Sequence, residues 1–218
     1  MAKLTLGILV SGRGSNMRAL VKACRGARFP ARVAIVISND PDAAGLKFAA
    51  KAGIPTAVVD HKAFADRDSF ERALHKTLKD AGVELVCLAG FMRLLNTGFV
   101  NRWRDRLVNV HPSLLPAFKG LHTHERVLEA GVRFTGCTVH FVRPEMDDGP
   151  IIIQAAIRVL PDDTPARMAA RVLKYEHRIY PEAVRLIAKG QARVAGNVVR
   201  VKEGKKAAAG IINPPVES

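Results

Sequence analysis

Short aliphatic runs and amphipathic stretches alternate along most of the chain. Residues 4–10, 32–38, 55–60, 85–89 and 107–111 are apolar at nearly every position and are bounded by Gly, Pro, Asn or Asp. Runs of that length without polar alternation read as strands covered on both faces, as in a parallel sheet. Between them, 16–26, 42–52, 68–81 and 97–104 carry apolar residues at helical spacing. In the third of these, Phe70, Ala73, Leu74, Leu78 and Ala81 fall on one face. The order predicts an α/β fold, a doubly wound and mostly parallel sheet flanked by helices. Two more strands are predicted over 135–142 and 151–159, around the turn Arg143-Pro144-Glu145-Met146-Asp147-Asp148-Gly149-Pro150. A long helix follows, with Thr164 as N-cap, Pro165 in the first turn and a bend or restart expected at Pro181. Past Gly190 the pattern predicts a short hairpin around Gly196-Asn197. The division expected is one domain over 1–203 and a mobile basic, Pro-containing tail over 204–218.

Composition narrows the picture modestly. The 218 residues are 48% hydrophobic and 25% charged, as in an ordinary globular domain. A net charge of +14 favours anionic partners, whether nucleic acid, acidic membrane or small phosphorylated and carboxylated molecules. Only 6% of residues are aromatic, and no nucleic-acid-binding motif occurs, so a nucleic-acid module has charge alone behind it. No run approaches the roughly 20 apolar residues of a membrane span, and the apolar start is too short for a signal peptide. Cys24, Cys87 and Cys137 are odd in number and set in apolar surroundings, which predicts reduced thiols and a cytoplasmic protein.

Four segments carry candidate chemistry. Ser11-Gly12-Arg13-Gly14-Ser15-Asn16 lies where the first strand gives way to the first helix. Glycines there let the backbone approach a ligand, and free amides at a helix N-terminus face an anion. A dinucleotide fingerprint would need a third glycine where Met17 stands, and the Walker ending is absent. A cradle for one phosphate remains, beside the plainer reading of a tight turn with Asn16 capping the helix. In Asn109-Val110-His111-Pro112, Asn109 and His111 project to the same side of a strand end, where α/β sheets place their ligands. An amide and an imidazole there suit oxyanion stabilisation and proton transfer, although a single strand-end histidine is also a common structural residue. The 143–150 turn offers Glu145, Asp147 and Asp148, either as partners for that imidazole or as a solvated or cation-binding acidic loop. Gly90-Phe91-Met92-Arg93-Leu94-Leu95 is unusually apolar for a loop: it forms the buried first turn of the next helix, or it lines a pocket for a flat ring. His122, His124 and His140 lack metal-ligand spacing with Cys or carboxylates and H-E-x-x-H does not occur, so no metal is expected and the first two read as loop or capping residues.

Taken together, S-G-R-G-S-N at 11–16, A-G-F-M-R-L-L at 89–95, N-V-H-P-S-L-L-P at 109–116, G-L-H-T-H at 120–124, D-D-G-P at 147–150 and E-H-R-I-Y-P at 176–181 resemble the glycinamide ribonucleotide formyltransferases, folate-dependent enzymes of purine synthesis. The resemblance runs from about Leu4 to Gly190. It implies transfer of a formyl group from the co-substrate 10-formyltetrahydrofolate to the glycinamide amine of phosphoribosylglycinamide, with no metal, in a monomer or homodimer that has only small-molecule substrates. By the same resemblance Asn109, His111 and Asp147 form the catalytic trio. Gly14, Ser15, Asn16, Glu176 and His177 contact the ribonucleotide. Arg67, Met92, Arg93, Leu94, Leu95, Asn109, Arg143, Pro144, Glu145, Met146 and Asp147 line the folate site. Three positions depart from the family pattern: Arg13 replaces a common Asn, Lys119 a common Pro, and Asp148 a Gly, which leaves open whether Asp147 or Asp148 is the working carboxylate. The alternative within the superfamily is formyltetrahydrofolate hydrolase, expected to carry an added N-terminal regulatory domain for which a first strand at Leu4 leaves no room. Transfer to initiator methionyl-tRNA would call for an added C-terminal domain.

Overall fold

The computed structural model describes residues 2–202, and the expected tail over 204–218 lies outside the described residues. Five strands, β1 (Leu4–Val10), β2 (Ala31–Ser38), β3 (Thr56–Val58), β4 (Leu85–Leu88) and β5 (Leu107–His111), pair in parallel. Two more, β6 (Phe134–Phe141) and β7 (Ile151–Arg158), add antiparallel at one edge, giving the order β3-β2-β1-β4-β5-β6-β7. The helices are α1 (Ser15–Cys24), α2 (Ala44–Lys51), α3 (Arg67–Asp80), α4 (Thr97–Arg102), α5 (Thr123–Glu129) and α6 (Pro165–Ala188). A separate hairpin, β8 (Ala192–Ala195) and β9 (Val198–Val201), follows α6. The mostly parallel, doubly wound sheet and the short hairpin agree with the expectation from sequence.

The aliphatic strands are apolar throughout because helices cover both faces of the sheet. Along β1, Leu6, Ile8 and Val10 belong to one hydrophobic cluster, with Met17 and Leu20 of α1 and Met168, Val172, Tyr180 and Val184 of α6. Leu9 belongs to the other, with Phe70, Leu74 and Leu78 of α3 and Phe99 of α4. The period-2 alternation of a strand thus divides its side chains between two cores. Gly7 faces α3, and a Cβ there would stand 2.6 Å from Leu78 Cδ2, so the missing side chain is what lets helix and strand approach.

The restart considered at Pro181 does not occur: α6 is continuous from Pro165 to Ala188. Proline removes one backbone donor, but the buried face around it holds the helix in place. Ile179, Tyr180, Ala183 and Val184 are all buried, and the Tyr180 hydroxyl lies 2.9 Å from the Leu88 carbonyl and 3.2 Å from that of Val108. Thr164 caps the helix by accepting from the Arg167 N–H, as predicted.

The chain leaves β1 toward β2 and β3, then returns to β4 and β5 on the other side. Loops that depart in opposite directions from neighbouring strands open a crevice at their carboxyl ends. Here the loops after β1 and β4 meet: Ser11 N–H donates to Gly90 O at 3.0 Å, and Met92 N–H donates to the Ser11 hydroxyl at 2.8 Å.

Candidate active site

Gly14 occupies the N-cap position of α1 in the left-handed region, with φ 69°. A side chain there would be strained, and its Cβ would lie 2.9 Å from Met17 Cε and 3.1 Å from Gly45 Cα. No side chain caps α1, so Asn16 is not the helix cap of the plainer reading. The first amides of α1 have no intrahelical acceptor and remain available to an anion. Asn16 is buried, and its Nδ2 donates to Glu176 Oε2 at 2.6 Å, joining α1 to α6 across 160 residues of chain. Burial pushes the Glu176 carboxyl above its usual range, and the Asn16 bond pulls it partly back. His177 follows on α6, its titration lowered by burial and its Nε2 without a partner. The loop and the 176–177 pair, far apart in sequence, are therefore neighbours. Arg13 is exposed at the loop.

At the end of β5, Asn109 and His111 occupy alternate positions on one strand. His111 is 5% exposed. Its Nδ1 lies 3.4 Å from Asp147 Oδ2, and its Nε2 lies 2.9 Å from the Phe118 carbonyl oxygen. An acceptor at each nitrogen suits the imidazolium, which donates from both. Asp147 Oδ2 also accepts the Gly120 N–H at 2.7 Å. Asp147 has a positive φ of 48°, uncommon for a non-glycine residue and tolerated best by Asp and Asn. Its arrival at His111 is not a matter of sequence proximity. β6 runs antiparallel to β5 with Phe141 opposite Val108, so the turn after β6 starts at the amino end of β5. The turn folds back along β5 to bring Asp147 to the carboxyl end.

Asp148 points elsewhere. It pairs with Lys119 Nζ at 2.6 Å in an exposed contact. The two departures from the family pattern at positions 119 and 148 thus meet each other, and Asp147 alone of the two carboxylates contacts the histidine.

The register also places His140 opposite Asn109, and Asn109 Nδ2 lies 3.4 Å from His140 Nε2. His140 Nδ1 is 3.0 Å from the Phe141 carbonyl. Burial pushes the His140 ring down to about 4, so near neutral pH it carries one proton. That proton sits on Nδ1, facing the carbonyl, and Nε2 accepts from the Asn109 amide. His140 fixes which way the amide of Asn109 points and leaves its second N–H free. No motif marked His140 in this role; the signal available was the pairing of antiparallel neighbours across β5 and β6.

The 89–95 segment is a loop, and α4 begins only at Thr97, so the buried-turn alternative fails. Met92 and Leu94 are 68% and 63% exposed, Arg93 is exposed and Leu95 is half-buried. Such apolar surface beside the crevice suits a flat ligand. Arg67 is exposed at the start of α3, after the Asp66 cap. In the 143–150 turn Pro144 is half-buried, and Glu145 and Met146 are exposed. Arg143 is not part of the His111 cluster: its guanidinium pairs with Asp105 at 2.6 Å, before β5 begins. His122 holds the N-cap position of α5 without a side-chain bond, and His124 lies inside the helix, so neither caps it by side chain. Among the described residues no group of three or more His, Cys, Asp or Glu side chains is arranged for a metal ion, and no helix is long and apolar enough to cross a membrane.

A strand-end amide and imidazole, a carboxylate behind the imidazole and an anion cradle across the crevice are the features of a group-transfer site. The chain belongs to the formyl transferase family, whose model matches residues 5–184. It is 41% identical to phosphoribosylglycinamide formyltransferase of Escherichia coli (strain K12), over 89% of this chain and 92% of that protein. It superposes with a TM-score of 0.90 on glycinamide ribonucleotide transformylase 1 from Symbiobacterium toebii, at 47% identity, covering 92% of this chain and 95% of that one. It is also 47% identical to the trifunctional purine biosynthetic protein adenosine-3 of Bos taurus over 89% of this chain, and spans about a fifth (19%) of that longer protein.

Proposed function

We propose that this protein transfers the formyl group of 10-formyltetrahydrofolate to the glycinamide amine of phosphoribosylglycinamide, a cytoplasmic step of purine synthesis. The observation that carries the reading is the convergence of Asp147 and Asn109 on the surroundings of His111, across the crevice from the Gly14–Asn16 cradle. The phosphate of the ribonucleotide sits on the open amides of α1, beside Asn16, Glu176 and His177. The folate ring lies between the 92–95 loop and the 143–147 turn, with Arg67 at the rim for the glutamate carboxylate. A net charge of +14 suits one phosphorylated and one carboxylated substrate.

The amine attacks the formyl carbon, a C–N bond forms, and negative charge gathers on the formyl oxygen. The free N–H of Asn109 and the imidazolium of His111 stabilise that charge, each good donor being worth about 10²–10³ in rate. His111 reaches the reacting atoms through Nε2, a substrate oxygen replacing the Phe118 carbonyl as its acceptor. Collapse of the tetrahedral adduct breaks the bond to folate N10, which takes up a proton from His111 or a water it orients, while the proton lost by the attacking amine returns to the imidazole. Asp147 holds the ring in position and offsets its positive charge. No metal and no covalent enzyme intermediate enters this sequence.

Purified protein mixed with 10-formyltetrahydrofolate is expected to release tetrahydrofolate only when phosphoribosylglycinamide is also present. Release of formate and tetrahydrofolate without the amine acceptor would instead identify a hydrolase.

A further inference from the structure

The amino ends of β4 and β5 carry a second basic site, unrelated to the crevice at their carboxyl ends. A cavity of about 250 Å³ lies there, lined by His75 and Lys79 of α3, Val83, Arg102 at the end of α4, and Trp103 and Arg106 just before β5. Because strands β4 and β5 run parallel, Val83 and Arg106 precede them at the end opposite His111.

Three fixed cations and one histidine line this cavity, and no carboxylate does. The acids on neighbouring segments make contacts outside it: Asp80 with Lys76, Asp105 with Arg143, Glu84 with the Thr5 N–H, and Asp68 and Glu71 with Asn96 in an adjacent cleft that Arg102 also lines. Among the described residues neither Lys79 nor the Arg102 guanidinium has an ion-pair partner, and Arg106 spends one N–H on the Arg102 carbonyl while lying 5.0 Å over the Trp103 ring. Burial lowers the titration of His75, and the charges of Arg102, Lys79 and Arg106 add to it. With no carboxylate in the lining itself, the like charges repel one another across the cavity, and an arriving anion removes that repulsion.

A second observation points the same way. Trp103 is 2% exposed, and among the described residues its indole N–H has no acceptor and His75 Nδ1 no partner. Buried donors are nearly always satisfied, so two orphaned nitrogens among the residues lining one cavity mark an unmet demand for a polar ligand. The volume far exceeds the roughly 30 Å³ that one water takes up in the liquid, so more than one small group fits. A single phosphate would leave part of the space and part of the charge unmatched.

We propose that this cavity binds a diphosphate group, held by the guanidinium forks of Arg102 and Arg106 and by Lys79, either as the free ion or as part of a nucleotide. Two arginine forks match the planar oxygen edges of neighbouring phosphoryl groups, and the ammonium of Lys79 supplies a point charge.

Trp103 is the single tryptophan of the chain, so its fluorescence reports on this cavity and not on the Gly14 cradle. Titration with inorganic diphosphate is expected to change that signal saturably, at least about tenfold more tightly than sulfate at matched ionic strength. Arg106→Gln should weaken the apparent affinity about tenfold or more. Lys79→Gln, a change at an exposed side chain that cannot disturb the core, should weaken it about threefold. Formyl transfer by both variants should be unchanged. Binding of ADP as tight as that of diphosphate would assign the group to a nucleotide, and its exclusion would assign the free ion; both support the site. A signal that never saturates, an equal response to sulfate, or an affinity untouched by Lys79→Gln would overturn the proposal. None of these readings depends on whether the formyl transfer assay succeeds.

Discussion

Asp147 and Asp148 are adjacent in the chain and have opposite fates. The first sits at φ 48° against a buried histidine and a backbone amide, its side chain 15% exposed; the second reaches outward to a lysine, its side chain 53% exposed. One contact is shielded and joins three segments of the fold. The other joins two surface loops in water, where an ion pair contributes about 0–1 kcal/mol. Chemical identity says nothing about which carboxylate works. The backbone conformation at Asp147 accompanies the difference, and Asp147 is the carboxylate that faces the histidine.

This contrast is open to direct attack. His111→Ala is expected to lower kcat by about 10²–10⁴ while circular dichroism stays native, because the shared partner of the buried pair is gone. Asp147→Asn should cost roughly 10–100-fold in kcat, whereas Asp148→Asn should stay within about threefold; equal losses would erase the distinction between the two. His140→Ala should lower kcat about tenfold with little change in KM, since it frees the Asn109 amide to rotate without removing it. A gentler test concerns pH. His140 is held near 4 in the fold and near 6.5 when unfolded, so the unfolded chain binds the extra proton between those values, and stability falls as pH drops from about 6.5 toward 4. His140→Gln should flatten that slope in chemical denaturation. The smallest effect is expected from Lys119→Met, a stability change within about 1 kcal/mol that shrinks further in high salt.

The sheet was legible because its strands bury both faces and must be aliphatic, and because the helices carry a one-sided apolar stripe; β1 and β5 fall where the pattern puts them. Asn109 and His111 were legible as a pair because strand alternation is local. What local pattern misses is return of the chain. Nothing near residue 147 announces that its turn doubles back along β5, or that residues 119 and 148 compensate each other. The contact of His140 with Asn109 is hidden for a similar reason, since it arises from cross-strand register. Pro181 marks the opposite failure: a strong local rule gave way to the packing of Tyr180 and its neighbours.

Glu176 and Tyr180 stand one turn apart on α6, and each holds a different half of the molecule: Asn16 of α1 on one side, the carbonyls of β4 and β5 on the other. The helix therefore works as a tie rod between the Gly14–Asn16 loop and the strand that presents the imidazole. Sliding either half past the other would have to break a buried polar bond first.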